Sequence, residues 1–320
     1  MSWTDFFQSC YFIPPPTLTE HNLPSQSGRV FIVTGGYSGV GKELAKLLYQ
    51  AHGTIYIAGR DASKGQAAIE EIKSLFPTSD GRLEFLFLDL ADLSTIKSSA
   101  ETFIKKESRL DVLTNNAGVM TPPVGSRTAQ GHELQMGTNA LGHYLFTTLL
   151  LPILLKTAQI SPAKTVRITW ASSLATFMAP PGGILFDITT TTSSPRILNS
   201  PMRDYQQSKS GTIFLAHEFQ SRYPSIVSVP FNPGNLHSEL QRTQSWWLWI
   251  VTQLLAYPTK MGAYTELWAG WAEEVGEEGN RGRYVGPWGR FRSVRGDIEN
   301  NRVGVERFVE WCEEETAGFL

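Results

Sequence analysis

The sequence predicts an α/β protein of one domain, a doubly wound parallel sheet of the Rossmann kind with helices on both faces. Three observations predict it. Short apolar runs alternate with amphipathic stretches along most of the chain, the pattern of strand–helix–strand units. The runs are apolar throughout rather than at every second residue, so their strands are covered on both faces, as parallel strands are. A glycine-rich turn, Thr34-Gly35-Gly36-Tyr37-Ser38-Gly39-Val40-Gly41, follows the first run directly and opens a helix pattern. With 320 residues, 41% of them apolar, the chain can build one large core.

In order, residues 1–29, with Pro14-Pro15-Pro16, read as an N-terminal extension, and 30–320 as the domain. The runs at 30–33, 54–58, 83–88, 112–115, 166–171 and 226–231 are six strands. Amphipathic stretches at 40–49, 64–75 and 94–106 are the helices after the first three. A long helix pattern after the fourth strand runs to Leu155, and a helix over 204–222 follows the fifth after a long loop. Within that loop, Thr189 to Ser194 is a low-complexity patch, expected to be mobile. Tyr284-Val285 is a seventh strand. The last helix covers 303–314, with Val305, Phe308, Val309 and Cys312 on one face.

The stretch 236–271 stands apart. It holds five of the nine tryptophans: Trp246, Trp247, Trp249, Trp268 and Trp271. A greasy aromatic segment at this point is expected to be a lid over a bulky apolar substrate. Two other readings stay open: packing of the rings on the sheet, and docking on a membrane face, where Trp3, Phe6, Phe7 and Phe12 would help.

Composition excludes other classes. Twenty-eight basic residues nearly cancel thirty acidic ones and form no basic block, so nucleic acid is not an expected partner. Two cysteines, Cys10 and Cys312, allow neither a disulfide framework nor a cysteine-based zinc site, and fit a reducing, cytoplasmic compartment. No charged region followed by a long apolar one opens the chain, and no run of eighteen apolar residues predicts a spanning helix.

The glycine turn carries the first chemistry. Gly35 permits the tight turn, Gly39 lets backbone approach a pyrophosphate, and Gly41 lets the helix pack on the sheet. Ser38 and Val40 lie between them at the helix start, where free N–H groups face an anion. At the end of the second strand, Gly59 stands where an acidic residue would hold the adenosine ribose of NAD. Arg60 follows, and its guanidinium suits a ribose 2′-phosphate; Lys64 adds a second charge. NADP is therefore expected over NAD. The other reading, with Asp61 on the ribose, stays open. Asp89 would accept from the adenine amino group or cap the next helix. Asn116, in Asn115-Asn116-Ala117-Gly118, would tie strand ends together beside the cofactor.

The second chemistry lies in Tyr205-Gln206-Gln207-Ser208-Lys209, a phenol and an ammonium one helical turn apart. With the glycine turn and Asn-Asn-Ala-Gly ahead of it, the chain resembles the short-chain dehydrogenase/reductase family over roughly residues 28 to 290. It is most similar to retinol-dehydrogenase-like and fungal secondary-metabolism members, through Asn139-Ala140-Leu141-Gly142-His143-Tyr144, Asn232-Pro233-Gly234-Asn235-Leu236 and Gly286-Pro287-Trp288-Gly289-Arg290.

The resemblance implies an oxidoreductase that exchanges a hydride between NADP and a ketone, aldehyde or alcohol. It implies Asn139, Ser173 (the second of the Ser172-Ser173 pair), Tyr205 and Lys209 as the catalytic set. It implies nicotinamide contacts at Leu236 and Ser238, and a four-helix homodimer through the helices after Asn139 and Tyr205. In this scheme Lys209 lowers the Tyr205 pKa, Ser173 holds the substrate oxygen and Tyr205 donates the proton. The alternative is a non-catalytic NADP-binding sensor. The 32 residues from Ser173 to Tyr205 must loop out for the set to assemble.

Overall fold

A computed structural model describes residues 13–188, 193–236 and 256–320. The apolar runs become parallel strands: β1 (Val30–Thr34), β2 (Thr54–Gly59), β3 (Arg82–Phe87), β4 (Val112–Asn115) and β5 (Arg167–Ala171). β6 (Phe186–Ile188) and β7 (Ser193–Pro195) pair as a separate antiparallel hairpin. β8 (Val227–Phe231) rejoins the main sheet, and the short β9 (Val285–Gly286) and β10 (Arg290–Phe291) extend it. The order is β10-β9-β8-β5-β4-β1-β2-β3. It reverses between β1 and β4, and a crevice at such a reversal is where this architecture binds ligands.

Seven main helices cover the sheet: α1 (Gly39–Gln50), α2 (Ala62–Leu75), α3 (Leu93–Lys106), α4 (Leu134–Ile160), α5 (Pro201–Arg222), α6 (Thr259–Trp271) and α7 (Arg302–Thr316). One face packs Leu44 and Leu48 of α1, Ile69 and Ile72 of α2, and Leu267 of α6 on Phe31, Val33, Ile55 and Ile57. The other packs Phe103 of α3, Leu145 of α4, Phe214 of α5 and Phe308 of α7 around Ile32, Leu113, Ile168 and Trp170. Side-chain caps start α2 (Asp61), α3 (Asp92) and α7 (Asn301), and Pro201 opens α5. α4 is long and apolar enough to cross a membrane, yet 72% of its most apolar window is buried inside the protein, which makes it a core helix.

Three expectations change. Residues 259–271 of the expected lid are α6, whose residues Gly262 to Gly270 are all buried. Trp268 packs edge-on against Phe291, and Trp271 against Phe31. This part is wall rather than lid, because α6 is buried over nine consecutive residues against the sheet. Trp246, Trp247 and Trp249, with Trp3, Phe6, Phe7 and Phe12, lie outside the described residues.

The α5 part of the expected homodimer face is covered over residues 204–216. α5 is buried without a break from Asp204 to Ala216, and α7 lies across it. The Phe308 ring fills the space beside Gly211 and meets Phe214 and Trp311. Over residues 204–216, α5 offers no seam to a second copy. The patch expected to be mobile lies partly in the hairpin, with Ser193 and Ser194 in β7; residues 189–192 fall outside the described residues.

The described part of the N-terminal extension, residues 13–29, is tied down. Glu20 accepts from Lys260 and Tyr264 at 2.7 Å each, Gln26 accepts from Trp271 at 3.0 Å, and Arg290 donates to the Pro14 carbonyl at 2.8 Å.

Candidate active site

The glycine turn forms because two of its residues need left-handed backbone: Gly35 has φ +68° and Gly39 φ +54°. Gly41 is required for another reason. A Cβ there would lie 2.6 Å from Asn116 Nδ2 and 3.0 Å from the Gly35 carbonyl oxygen. Ser38 is the N-cap of α1 and makes no side-chain capping bond, so the helix's first N–H groups face the crevice.

Asn116 ties the strands as expected, with Nδ2 donating to the Thr34 carbonyl at 2.8 Å. Thr34 Oγ1 receives the backbone N–H groups of Asn116 and Ala117 at 2.9 Å each and lies 3.0 Å from His143 Nε2. His143 Nδ1 sits 2.9 Å from the Asn139 carbonyl oxygen and must donate to it, so Nε2 accepts from Thr34. Burial pulls the His143 pKa down to about 4, which keeps the ring neutral. It is a packing histidine that braces the crevice.

The far end of the crevice holds the cofactor-selecting residues. Arg60 is exposed just past Gly59. Asp61 is occupied: its Oδ1 caps α2 through the Lys64 backbone N–H at 3.1 Å and accepts from Ser63 Oγ at 2.7 Å. The reading that gives Asp61 the ribose loses ground, since that carboxylate already serves the helix. The Lys64 ammonium stays exposed, 3.7 Å from Asp61. Asp89 accepts from the Ala91 N–H at 3.0 Å, and Asp92, not Asp89, caps α3. The sequence reading missed Tyr37. Its ring lies against Gly59, where any Cβ would collide with it, and its hydroxyl takes a hydrogen bond from the Arg60 backbone N–H.

The four catalytic candidates converge at the ends of β4 and β5. Asn139 sits in a π-helical turn, Gly137–Leu141, inside α4, a local widening frequent at functional sites. Its Oδ1 accepts from the Val119 N–H at 2.8 Å, and its Nδ2 donates to the Val119 carbonyl at 3.0 Å and Ser208 Oγ at 2.9 Å. Gly118 lies between Asn139 and Lys209; a Cβ there would be 3.1 Å from Asn139 Oδ1 and 3.4 Å from Lys209 Nζ.

The two serines divide. Ser172 is buried and donates to the Lys209 carbonyl at 2.9 Å, which fixes α5 to β5. Ser173, two residues past the end of β5, caps the turn that follows by accepting from the Ala175 N–H at 3.1 Å, and hydrogen-bonds the Tyr205 hydroxyl.

The electrostatics of the Tyr205–Lys209 pair differ from the expectation. Burial raises the Tyr205 pKa, opposed by the Ser173 hydrogen bond. The Lys209 ammonium lies 5.7 Å from the Tyr205 ring centre and donates to the Ala171 carbonyl at 2.8 Å. Burial also pulls Lys209 down to about 8, with the field of Glu266 opposing. At the phenol, desolvation outweighs the Ser173 hydrogen bond.

The described parts of the long insert are anchored to α5 and to the segment before α7. Arg295 donates to the carbonyls of Phe177, Ala179 and Pro180, and Gln207 holds the Leu185 N–H and the Arg196 carbonyl. Leu236 is buried against α6, beside Gly262 and Val40. Ser238 and His237 lie outside the described residues.

The pattern of the short chain dehydrogenase family matches residues 29–187. A short-chain dehydrogenase/reductase of Phomopsis amygdali is 42% identical, over 97% of this chain and 96% of its own length. One of Emericella nidulans is 44% identical, over 96% and 98%. Among solved structures, that of an uncharacterized protein from Mycobacterium paratuberculosis superposes with a TM-score of 0.68 at 28% identity, covering 94% of this chain and 97% of its own.

Proposed function

The chain belongs to the short-chain dehydrogenase/reductase family, oxidoreductases of CH–OH and C=O groups that use nicotinamide cofactors, and we propose that it uses NADP on a bulky apolar carbonyl or alcohol. The observation that carries the cofactor choice is the end of β2. Gly59 leaves no acidic group for the ribose, Asp61 is spent on capping α2, and Arg60 stands exposed beside them. A ribose 2′-phosphate would meet the guanidinium there.

The residues fit such a cofactor. The cradle of Gly35, Gly39 and Gly41 admits no side chain without clash or strain, and α1 presents uncapped N–H groups to it. Ser38, Val40, Asn116 and Leu236 would line it, with Ser238 following in sequence. When bound, the cofactor supplies or accepts the hydride.

The chain's own groups handle the proton. Ser173 donates a hydrogen bond to the substrate oxygen, where negative charge grows. Tyr205, held in reach by Ser173, gives its proton to that oxygen as general acid and takes it back in the reverse direction. Lys209 holds the ribose and, as an ammonium, eases ionisation of the phenol. Asn139, bonded to Val119 and Ser208, fixes the backbone at Gly118 beside Lys209.

The bulky substrate follows from the tryptophan-rich stretch 236–255, proposed as the lid now that α6 is assigned to the core. A role in secondary metabolism and a cytoplasmic location belong to the same proposal. Titration with NADPH and NADH, followed by nicotinamide fluorescence, tests it. Tight NADPH and weak NADH binding is the expected result, and preference for NADH would sink the Arg60 argument.

A further inference from the structure

Glu266, midway along α6, is 0% exposed, and neither of its carboxyl oxygens has a hydrogen-bond partner among the described residues. Such a group is costly and calls for a reason. Its place suggests one. Gly270, one turn further on the same helix face, sits against Val112 of β4 and Thr169 of β5. α6 runs against the strands: Thr265 reaches Pro233 beyond the end of β8, while Ala269 and Ala272 meet Arg167 at the start of β5. Glu266 therefore lies toward the ends of β4 and β5. Thr114 and Thr169 are register partners on those strands, and their hydroxyls are also buried without a partner among the described residues. On the opposite face of that strand end, Lys209 donates to the Ala171 carbonyl.

Several other charges around α6 are engaged, while Arg292, against Gly286 of β9, has a buried Nε without a partner among the described residues. Arg167 serves the Ala269 and Ala272 carbonyls, Glu20 pairs with Lys260 and Tyr264, Lys42 and Lys46 on α1 pair with Glu71 and Glu43, and Arg290 is bonded to Pro14. Lys209 is the charge whose field acts on Glu266. Burial holds the Glu266 carboxyl well above the usual range, and the lysine opposes this.

We propose that Glu266, buried without a partner among the described residues toward the ends of β4 and β5, is a positioning residue acting through Lys209, and that its carboxyl would become the counter-charge if an oxidised, cationic nicotinamide dinucleotide were bound beside that lysine. The inference rests on the cofactor reading above. A second positive charge beside a buried ammonium is unfavourable, and a carboxylate behind the strand end relieves it. The Glu266 O–H bond breaks, its electron pair stays on oxygen, and the proton leaves to solvent. Thr114 and Thr169 supply hydroxyl donors on that side of the sheet. The reduced form carries no ring charge and calls for no ionisation, so Glu266 distinguishes the two oxidation states.

Calorimetric titration of the full chain with NADP and with NADPH, in two buffers of different ionisation enthalpy, counts the protons released. The expected result is proton release with the oxidised form in excess of that with the reduced form, and a ratio of the two affinities that shifts toward the oxidised form as pH rises. The 2′-phosphate is common to both and cancels. Glu266→Gln should abolish the excess and weaken the oxidised form about tenfold, leaving the reduced form unchanged. Tyr205→Phe should keep the excess, which excludes the phenol as its source. An excess that survives Glu266→Gln, or equal weakening of both forms, overturns the proposal. If Glu266→Gln does not fold, the wild-type comparison decides alone: equal release with both forms refutes it. Binding of neither form by folded wild-type protein overturns the cofactor reading, and this one with it.

Discussion

Ser172 and Ser173 are neighbours with different tasks, and substitution should separate them. Ser173→Ala removes the donor beside Tyr205, and turnover should fall roughly 10²–10³-fold with cofactor affinity kept. Tyr205→Phe should cost roughly 10²–10⁴-fold in turnover and likewise leave affinity intact; steady-state kinetics beside a fluorescence titration check both. A Tyr205→Phe protein that turns over at the wild-type rate would remove the phenol from the mechanism. Arg60→Leu should weaken NADPH roughly ten- to a hundredfold and NADH hardly at all, since a charge-assisted bond is lost only to the 2′-phosphate. Ser173 and Arg60 were legible in the sequence because motif spacing marks them. Tyr37 and Glu266 were not: no motif marks a ring folded over a strand end or an acid behind a sheet.

α7 and the N-terminal extension are the elements whose roles the structure changed. Phe308 is fully buried on α5, so Phe308→Ala should destabilise the protein by about 3–5 kcal/mol in denaturant melts. Because α7 covers α5, sedimentation at micromolar concentration should give a single-chain mass; a dimer would require another face. The extension is anchored by Glu20. Burial alone would raise its carboxyl, but the bonds from Lys260 and Tyr264 overcome this and hold it at about 2. A pKa depressed on folding stabilises above the unfolded value, near 4.5, and that stability is lost as pH falls toward 2. The stability gap between the wild type and Glu20→Gln should therefore be full above pH 4.5 and close toward pH 2; a gap independent of pH would mean that shape, not charge, ties the extension down.

For the whole molecule, the site is held together against its own electrostatics. Lys209 titrates at about 8 in the fold against 10.5 in the open chain. Between those values the unfolded chain holds more protons, so stability rises with pH there, and the penalty is complete below about 8. Lys209→Met should abolish turnover yet stabilise the cofactor-free protein at pH 7 by on the order of 2 kcal/mol, an advantage that shrinks as pH rises past 8 toward 10.5; thermal melts across that range decide it. By itself the sequence determined the strand–helix alternation and the glycine turn, and it singled out Asn139, Ser173, Tyr205 and Lys209, which the fold brings together past the ends of β4 and β5. Strand burial, left-handed turns and one-turn helix spacing are local and leave a mark every few residues. Only the tertiary structure decided that α6 packs into the core, that α7 covers α5, that burial outweighs the Ser173 hydrogen bond at Tyr205, and that Glu266 is buried without a partner among the described residues. Those outcomes depend on which surfaces meet across long chain separations, and a residue's desolvation is set by neighbours its own stretch of sequence does not name.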